Sequence, residues 1–284
     1  MKNLISQENN LTKRNRIAGA IYGFAIGDAM GASTEFMSKE KIKLVYQNGV
    51  KDIIGGGWLN LKVGEVTDDT QMSMCVMNAF MKTYHKQNCF YDNFTNALRK
   101  EFVKWFNSNP KDVGMQCRLA ISYIMKNHMY AKSDEEALGN GSLMRAMPMA
   151  LVNNLTLNIV QGKMTHNNNA CSLTIQKYHE MMQRILNGNY SLNRSYGLKN
   201  PSGHIFNTFN NAVYWSSLGS FEDAIVGAVN DGGDSDTIAA ITGSLAGAKF
   251  GYNNIPSRWV NQLDSNVKIT LEKFKNFTFS YLHI

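Results

Sequence analysis

Apolar side chains recur along this chain at helical spacing. Within residues 221–229 they stand at positions i, i+3, i+4, i+7 and i+8, and Ser220 with Asp223 three residues later gives a capping-box pattern. Runs with the same period cover 238–248 and 94–106, and the latter ends near Pro110. No alternation of apolar and polar residues indicates a strand. The pattern therefore predicts an all-α fold, a compact orthogonal multi-helix bundle.

Two of the predicted helices carry a glycine at every fourth position. These glycines are Gly19, Gly23, Gly27 and Gly31 in the first, and Gly243, Gly247 and Gly251 in the second. An interior glycine destabilises a helix by about 1 kcal/mol relative to alanine, but a glycine stripe lets another helix approach closely. Membrane helices use the same device. Asp28 and the charged residues beside the first stripe favour close packing within a globular protein instead.

The length of 284 residues suits one large domain, and no shift in composition marks a boundary, so we expect a single domain over residues 1–284. The polar segment 187–203 is expected to form a long surface loop. No apolar run is long enough to predict a transmembrane helix, and the N-terminal residues lack the apolar segment of a secretory signal. The four cysteines, Cys75, Cys89, Cys117 and Cys171, show no metal-binding spacing and are expected to be reduced thiols of a cytoplasmic protein.

The formal net charge of +7 permits binding to nucleic acid or to an anionic ligand, but solubility accounts for it as well. A nucleic-acid-binding protein would concentrate its lysines and arginines on one face. Here the lysines are dispersed and the loops are rich in asparagine. We therefore expect neither a nucleic acid nor a membrane as a partner.

The acidic residues are concentrated in windows that contain no lysine or arginine, at 63–81 and 201–248. They are Glu65, Asp68 and Asp69 in the first window, and Glu222, Asp223, Asp231, Asp234 and Asp236 in the second. Carboxylates at a helix N-terminus have a simple explanation, since each stabilises the helix by about 0.3–1 kcal/mol through capping and the helix dipole. Adjacent carboxylates repel each other, however, and a hard divalent cation bound also by the hydroxyls of Thr67 and Thr237 would neutralise them. The spacing alone leaves both explanations open.

Other catalytic and metal-binding patterns fit poorly. An EF-hand loop beginning at Asp234 would need glycine and glutamate where Ala239 and Leu245 stand. The glycine run at 55–57 lacks the lysine of a P-loop and the strand–helix context of a dinucleotide-binding fingerprint. The six histidines show no zinc-binding spacing. Any metal site predicted from this sequence is therefore built from oxygen ligands.

Six segments, in order, resemble the ADP-ribosylglycohydrolase family. They are GAIYGFAIGDAMGASTEF at 19–36, GEVTDDTQM at 64–72, WFNSNPKDVG at 105–114, GNGSLMRAMPMAL at 139–151, Thr165-His166, and VNDGGDSDTIAAITGSLAGAKFG at 229–251. The resemblance covers most of the chain and implies an all-α, ADP-ribosylglycohydrolase-like fold with two divalent cations, Mg²⁺ or Mn²⁺, at the mouth of a cleft. After His166 many relatives carry proline or another histidine, whereas residues 167–169 here are all asparagine.

The resemblance also implies roles for individual residues. The metal ligands would be Thr67, Asp68, Asp69, Asp234, Asp236 and Thr237, with Asp236 bridging the two ions. The catalytic residues would be Glu35, Asp69 and Asp112. The substrate would contact Gly114, Asn140, Gly141, Ser142, His166, Gly232, Gly233 and Ser235. Taken singly, His166 is equally explained as a surface or hydrogen-bonded histidine, Arg145 as a charge on a helix surface, and the methionines at 144, 147 and 149 as core filler.

The implied function is metal-dependent hydrolysis of the N- or O-glycosidic bond that joins ADP-ribose to a protein side chain, with arginine as the favoured acceptor and ADP-ribose as the product. Breaking this bond builds positive charge on the ribose, and two cations can orient the ring and activate a water. Glu35 or an aspartate would position that water, and Asp112 would hold the departing guanidinium. The alternative is a non-catalytic ADP-ribose-binding or crystallin-like member of the same fold.

Overall fold

The computed structural model of the chain describes residues 2–85, 90–189 and 197–284. Within these ranges it has thirteen α-helices, two short 3₁₀ helices and no β-strand, which confirms the predicted all-α fold. The helices of the first half are α1 (Lys2–Gly31), α2 (Lys39–Val45), α3 (Asp68–Thr83), α4 (Phe90–Asn107), α5 (Met115–Met125), α6 (Met147–Leu151) and α7 (Leu155–Lys163). Those of the second half are α8 (Asn169–Leu186), α9 (Ile205–Ser216), α10 (Phe221–Val229), α11 (Ser235–Phe250), α12 (Ser257–Gln262) and α13 (Ser265–Tyr281). The 3₁₀ helices are Asn140–Ser142 and Tyr252–Asn254.

The helix boundaries follow the local signals in the sequence. Helix α10 begins after Ser220, whose Oγ accepts a hydrogen bond from the backbone N–H of Asp223 at 3.0 Å, so the predicted cap is confirmed. Helix α4 ends at Asn107, before Pro110, as predicted. In the predicted loop at 187–203, the described residues 187–189 and 197–203 are non-helical, and residues 190–196 lie outside the described part of the chain.

Helices α1 and α11 pack against each other in antiparallel orientation through their glycine stripes. A Cβ on Gly19 would lie 2.2 Å from the carbonyl oxygen of Gly247, and one on Gly23 would lie 2.3 Å from that of Gly243. These backbones therefore touch where side chains would otherwise separate them, which confirms the close-packing interpretation. Among the described helices, none has the length and hydropathy that crossing a bilayer requires.

The antiparallel pairing brings the C-terminal end of α1 and the N-terminal end of α11 to the same end of the bundle. Helix α11 is buried along residues 235–248. An aromatic cluster joins α3, α4 and α13, because the Phe80 ring meets those of Phe94, Phe277 and Tyr281 edge-to-face at centroid distances of 6.5, 5.7 and 5.3 Å. This cluster packs the C-terminal half of α3 against α4 and α13.

The sulfur-containing side chains are mostly core residues. Cys75, Cys117 and Cys171 are buried and free, as expected for reduced thiols, while Cys89 lies outside the described residues. The methionines at 144, 147 and 149 are part of the hydrophobic core, which confirms their interpretation as core filler.

The glycine stripe leads to a prediction about stability. In Gly27→Ala the new Cβ would lie 2.0 Å from the carbonyl oxygen of Ala239, so the two helices must move apart. We expect the free energy of unfolding to fall by about 1–3 kcal/mol or more, as is typical of overpacked cores. The matched control is Gly219→Ala, where a Cβ meets nothing within 4 Å, and we expect a change within about 0.5 kcal/mol. Urea denaturation of both variants measures the difference; equal stabilities would contradict the assignment.

Candidate active site

A cavity of about 280 Å³ lies where α1 ends and α3 and α11 begin. Both acidic windows of the sequence meet in it, together with the 109–114 loop and the Asn140–Ser142 helix. The sequence-predicted site residues that line it are Glu35, Asp68, Asp69, Asp112, Gly114, Asn140, Gly141, His166, Asp234, Asp236 and Thr237. Segments far apart in the chain thus contribute acidic side chains to one concave site.

The first turn of α3 is fixed by a buried carboxylate that the sequence analysis did not assign to the site. Asp28, fully buried on α1, accepts hydrogen bonds from Thr67 N at 3.0 Å, Thr67 Oγ1 at 2.8 Å and Thr70 N at 2.9 Å. It satisfies backbone donors that are otherwise unpaired at a helix start. Its signal in the sequence was a lone acid within an apolar, glycine-rich helix.

Capping does not account for the other carboxylates at these helix starts. Thr67 is the N-cap of α3 and accepts from Asp69 N at 3.3 Å. Asp234 stands at the N-cap position of α11, but its side chain accepts no capping hydrogen bond. The buried oxygens Asp69 Oδ1 and Asp236 Oδ1 have no hydrogen-bond partner. Since buried polar atoms are normally paired, these oxygens are available to bind something that enters the cavity.

Three carboxylates come close enough to share one ligand. One carboxylate oxygen from each of Glu35, Asp112 and Asp236 lies within 4.8 Å of the other two. Thr237 Oγ1 donates to Asp69 Oδ2 at 3.2 Å and links the starts of α3 and α11. This cluster could hold a metal ion, because carboxylate and hydroxyl oxygens are the donors that hard divalent cations prefer.

Burial and mutual repulsion raise the pKa of the clustered carboxyl groups. Burial, followed by the charges of Asp234 and Asp112, raises the pKa of Glu35 to about 8, although a hydrogen bond from Trp58 opposes the shift. Burial raises the pKa of Asp234 to about 6, against a hydrogen bond from Asn140. Burial also holds the pKa values of Asp68, Asp69 and Asp236 well above their ordinary value, and neighbouring carboxylates add to the shift. The main neighbours are Asp112 and Asp28 for Asp68, and Asp28 and Asp68 for Asp69. For Asp236 they are Glu35 and Asp69. The cluster therefore favours protons or cations as neutralising partners.

Asn140 connects the acidic side of the cavity to α9 and to the residues that precede α9. Its Nδ2 donates to Asp234 Oδ2 and, at 3.0 Å, to Thr208 Oγ1, while its backbone N–H donates to the carbonyl of Gly203 at 2.9 Å. The amide side chain is therefore fixed in orientation before any ligand binds.

Arg145 lies behind the part of the cavity wall that His166 forms, and the prediction that this residue is a charge on a helix surface is wrong. Arg145 lies in a turn and is fully buried. Its guanidinium donates to the carbonyl of Gly141, to that of Gln161 at 2.8 Å and to Thr165 Oγ1 at 2.6 Å. Carbonyl groups and a hydroxyl take the place of a carboxylate partner, which is why the charge can be buried here.

The same network sets the state of His166. This side chain is 2% exposed, so its interpretation as a surface histidine is wrong and the hydrogen-bonded alternative is confirmed: its Nδ1 lies 2.9 Å from Thr165 Oγ1. Burial, aided by the charge of Arg145, lowers the pKa of His166 to about 3. His166 is therefore a neutral imidazole beside the cavity.

Some sequence-predicted residues lie behind the cavity lining. Thr67 and Ser142 are buried, and the Ser142 hydroxyl has no partner. Ser235 Oγ is engaged with Gly31 O at 2.9 Å. Gly232 and Gly233 have φ of 78° and 64°, and a Cβ there would lie 2.2 Å from Met37 O and 1.7 Å from Pro201 O. Protein packing already requires these two glycines, and their contact with substrate stays a prediction.

Comparison with known proteins agrees with this geometry. The family model described as ADP-ribosylglycohydrolase matches residues 9–278. The chain belongs to the ADP-ribosylglycohydrolase family. It is 32% identical over 282 residues to the ADP-ribosyl-[dinitrogen reductase] glycohydrolase of Rhodospirillum rubrum, covering 89% of this chain and 92% of the relative. It is 30% identical to the ADP-ribosylarginine hydrolase Tri1 of Pseudomonas putida (strain GB-1), covering 88% and 74%.

A solved structure supports the same assignment. The ADP-ribosylglycohydrolase-related protein complex contains a chain that matches with a TM-score of 0.79 and 25% identity, covering 95% of this chain and 98% of that one. The fold is thus that of the ADP-ribosylglycohydrolases, and the relatives named as glycohydrolases and ADP-ribosylarginine hydrolases support hydrolase activity for this chain.

Several cavity residues were missed by the sequence analysis. They are Phe36, Met115, Gln116, Cys117, Gly139, Met144 and Gly203. Phe36, Met115 and Gly139 directly adjoin residues that the family resemblance marked, so for these three proximity in the chain was the available signal. Gln116 links α5 to the segment that carries His166, because its Nε2 donates a hydrogen bond to the carbonyl of Thr165 at 3.0 Å.

The raised pKa values predict how the stability of the metal-free ADP-ribosylglycohydrolase depends on pH. A raised pKa means that the folded chain binds the proton more tightly than the unfolded chain, whose carboxyl groups titrate near about 4. The stability from these groups is therefore fully present below about pH 4, and it is lost as the pH rises through the folded pKa values of about 6 for Asp234 and about 8 for Glu35. We expect Tm in chelator to fall across this window.

Circular dichroism melts at a series of pH values measure this effect. Glu35→Gln should flatten the upper part of the plot of Tm against pH, because the pKa of Glu35, about 8, is higher than that of Asp234. The matched control, Glu40→Gln, changes an exposed glutamate five residues along the chain and should leave the curve unchanged. A Tm that rises steadily through the window would contradict the assignment.

Proposed function

We propose that this chain, as a single domain over residues 1–284, hydrolyses the glycosidic bond between ADP-ribose and a protein side chain, with arginine as the favoured acceptor. The observation that carries the proposal is the cluster of carboxylates from the turn after α1, from the starts of α3 and α11 and from the 109–114 loop around one cavity. The relatives include proteins named as ADP-ribosylarginine hydrolases, which supports the choice of arginine as acceptor. The partner would be an ADP-ribosylated protein and the product ADP-ribose.

The residues present fit divalent cations, Mg²⁺ or Mn²⁺, and we propose that two are bound. The unpaired oxygens Asp69 Oδ1 and Asp236 Oδ1 support this, because a metal ion would satisfy buried acceptors that no donor reaches. The residues that would hold them are Asp68, Asp69, Asp234, Asp236 and Thr237, which line the cavity, and Thr67, which lies behind its lining. When bound, divalent cations polarise their oxygen ligands as Lewis acids.

In this proposal Glu35 orients the attacking water and receives its proton at Oε1. Its other oxygen, Oε2, already accepts from Trp58. Burial and the neighbouring carboxylates raise the pKa of Glu35 in the absence of cations, and bound cations would lower it, which would leave Glu35 as the carboxylate that accepts a proton. Asp69, whose Oδ2 accepts a hydrogen bond from Thr237, lines the same cavity and is a further proposed catalytic residue.

Asp112 is suited to the departing guanidinium. It stands on the loop between Pro110 and α5 and is half-buried, so it can reach both the cavity and incoming protein. A carboxylate can accept two parallel hydrogen bonds from a planar guanidinium. An uncharged serine acceptor has no equivalent group.

The remaining proposed contacts surround the ribose and the phosphates. Gly114, Asn140, Gly141, Ser142, His166, Gly232, Gly233 and Ser235 make up this set. The fixed amide of Asn140 and the neutral ring of His166 support hydrogen bonding to uncharged ribose hydroxyls. Gly114 and Gly141 leave the cavity wall without side chains at those positions.

Cation dependence tests the proposal directly. We expect ADP-ribosyl-arginine peptide to be hydrolysed in Mg²⁺ or Mn²⁺ and not in excess chelator. The same cations should raise Tm, because a ligand that binds the native state stabilises it by mass action. In Asp236→Asn we expect the fold to persist while activity and the cation-induced rise in Tm are lost. The control Asp92→Asn alters an exposed aspartate on α4 and should behave as the unmodified chain. Full turnover in chelator by metal-free protein would refute cation dependence.

Acceptor choice is tested at Asp112. Asp112→Asn keeps the shape but removes the charge and one acceptor, and loss of a charged hydrogen bond costs about 1.5–3 kcal/mol. We therefore expect kcat/KM on the arginine-linked peptide to fall roughly ten- to a hundredfold, with a smaller fall on a serine-linked peptide. Asp92→Asn is again the control. Equal losses on both peptides would assign Asp112 to general positioning, and no loss on either would remove it from the site.

A further inference from the structure

An exposed tryptophan holds Glu35 from outside the cavity lining. The indole Nε1 of Trp58 donates to Glu35 Oε2 at 2.6 Å. Trp58 is 52% exposed, whereas Glu35 is 5% exposed. A short hydrogen bond to a carboxylate is among the stronger neutral-donor contacts and is directional. The contact therefore fixes one oxygen of Glu35 and leaves the other, Oε1, free.

A glycine turn presents this indole to Glu35. Residues Gly55, Gly56 and Gly57 have φ of 66°, 79° and 67°, a region that other residues rarely adopt. Gly56 and Leu61 close the turn by exchanging backbone hydrogen bonds of 2.8 and 2.9 Å. A Cβ on Gly57 would lie 2.1 Å from the carbonyl oxygen of Ala32, so the turn lies directly against the chain between α1 and Glu35. The position of Trp58 follows from that contact.

The residue after Glu35 is held from the other side. Phe36 has φ of 59°, which is uncommon for a residue with a side chain. Its backbone N–H donates to the carbonyl of Gly233 at 2.7 Å, and its ring packs on that of Trp58 at a centroid distance of 5.4 Å. The backbone at Glu35 is thus tied to the start of α11, while its side chain is tied to Trp58.

The ionised form of Glu35 is repelled by neighbouring carboxylates, so a hydrogen bond is needed to keep its side chain beside them. The carboxylates of Asp234, Asp112 and Asp28 all act on it with like charge. Within the described part of the chain, Trp58 is the side chain that donates a hydrogen bond to Glu35. Without that donor, rotation of the Glu35 side chain toward water would relieve the repulsion and take Oε1 away from the cluster.

We propose that Trp58 is a positioning residue that fixes the side chain of Glu35, keeping a Glu35 oxygen within 4.8 Å of oxygens of Asp112 and Asp236. The effect on rate rests on the proposed function. The contact itself does not, so the two can be tested separately.

The contact is tested by ¹H–¹⁵N spectroscopy of the indole groups. The four tryptophans give four indole N–H signals, and Trp58→Phe identifies the signal of Trp58 by its loss. In Glu35→Ala we expect that signal to move upfield and to exchange faster with water, while the other three keep their positions. The matched control Glu40→Ala should change none of them. A Trp58 signal that ignores Glu35→Ala overturns the proposal, whatever the enzyme does.

The consequence is tested by separating kcat from KM. Trp58→Phe keeps an aromatic ring against Phe36 and removes the N–H donor. We expect kcat on ADP-ribosyl-arginine peptide to fall about tenfold or more, with KM within about twofold and Tm unchanged. The control Trp259→Phe also removes an indole donor from a carboxylate, since Trp259 Nε1 donates to Asp52 Oδ1 at 2.9 Å away from the cavity. Because Trp259 is fully buried, the Tm of this variant should fall, and its kcat is measured well below that Tm. Its kcat should not change.

The outcomes separate the two proposals. If the unmodified chain hydrolyses the peptide and Trp58→Phe has the same kcat, the positioning role is wrong and the proposed function stands. If the unmodified chain cleaves no ADP-ribosylated peptide, the proposed function is wrong, and the indole signal still decides whether Trp58 holds Glu35.

Discussion

The site depends on the backbone-to-backbone contact between α1 and α11. Because α1 carries only glycines along its stripe and α11 faces it with Gly243 and Gly247, the two axes come close enough that Gly31, at the end of α1, lies against the backbone of Ser235 and Asp236 at the start of α11. Glu35 follows the first of these ends and Asp236 belongs to the second. A side chain anywhere along the stripe would separate the helices and change the distance between carboxylates that must share a ligand. The packing of α1 against α11 in the core therefore sets the distances between the carboxylates at the cavity.

That geometry concentrates negative charge where solvent is largely excluded, which is costly unless something compensates. The fold itself offsets part of this negative charge, because the N-terminal dipoles of α3 and α11 both point at the cluster. Asp28 accepts hydrogen bonds from Thr67 and Thr70, so its carboxylate oxygens are paired with donors outside the cavity. The raised pKa values of Asp69 and Asp236 indicate that this compensation is incomplete. The fold holds acceptors that it does not itself satisfy, as expected where function competes with stability.

Sequence periodicity predicted the helical fold because it depends on local spacing. The distribution of charge marked the two acidic windows, but it left helix capping and a metal site as alternatives, and only the family resemblance implied that these segments form one site. Asp28 was not assigned because its partner Thr67 stands 39 positions away, and nothing local distinguishes a buried cap from an incidental acid. Arg145 was wrongly expected at a surface because its partners are mainly backbone carbonyls, which every residue type has and which the sequence therefore does not reveal. Trp58 was overlooked since the glycines before it were compared only with phosphate-binding loops.

The two sides of the cavity differ in a way that bears on the proposed substrate. One side is a cluster of carboxylates; the other is a neutral His166 backed by the buried charge of Arg145. A substrate with a cationic acceptor and a diphosphate needs both environments, because the acidic side favours the guanidinium and repels phosphate. Cations on the acidic side would reduce that repulsion while leaving Asp112, at the loop edge, to meet the acceptor. The unequal walls therefore favour one orientation of such a substrate, with its acceptor toward Asp112 and its diphosphate toward the His166 wall.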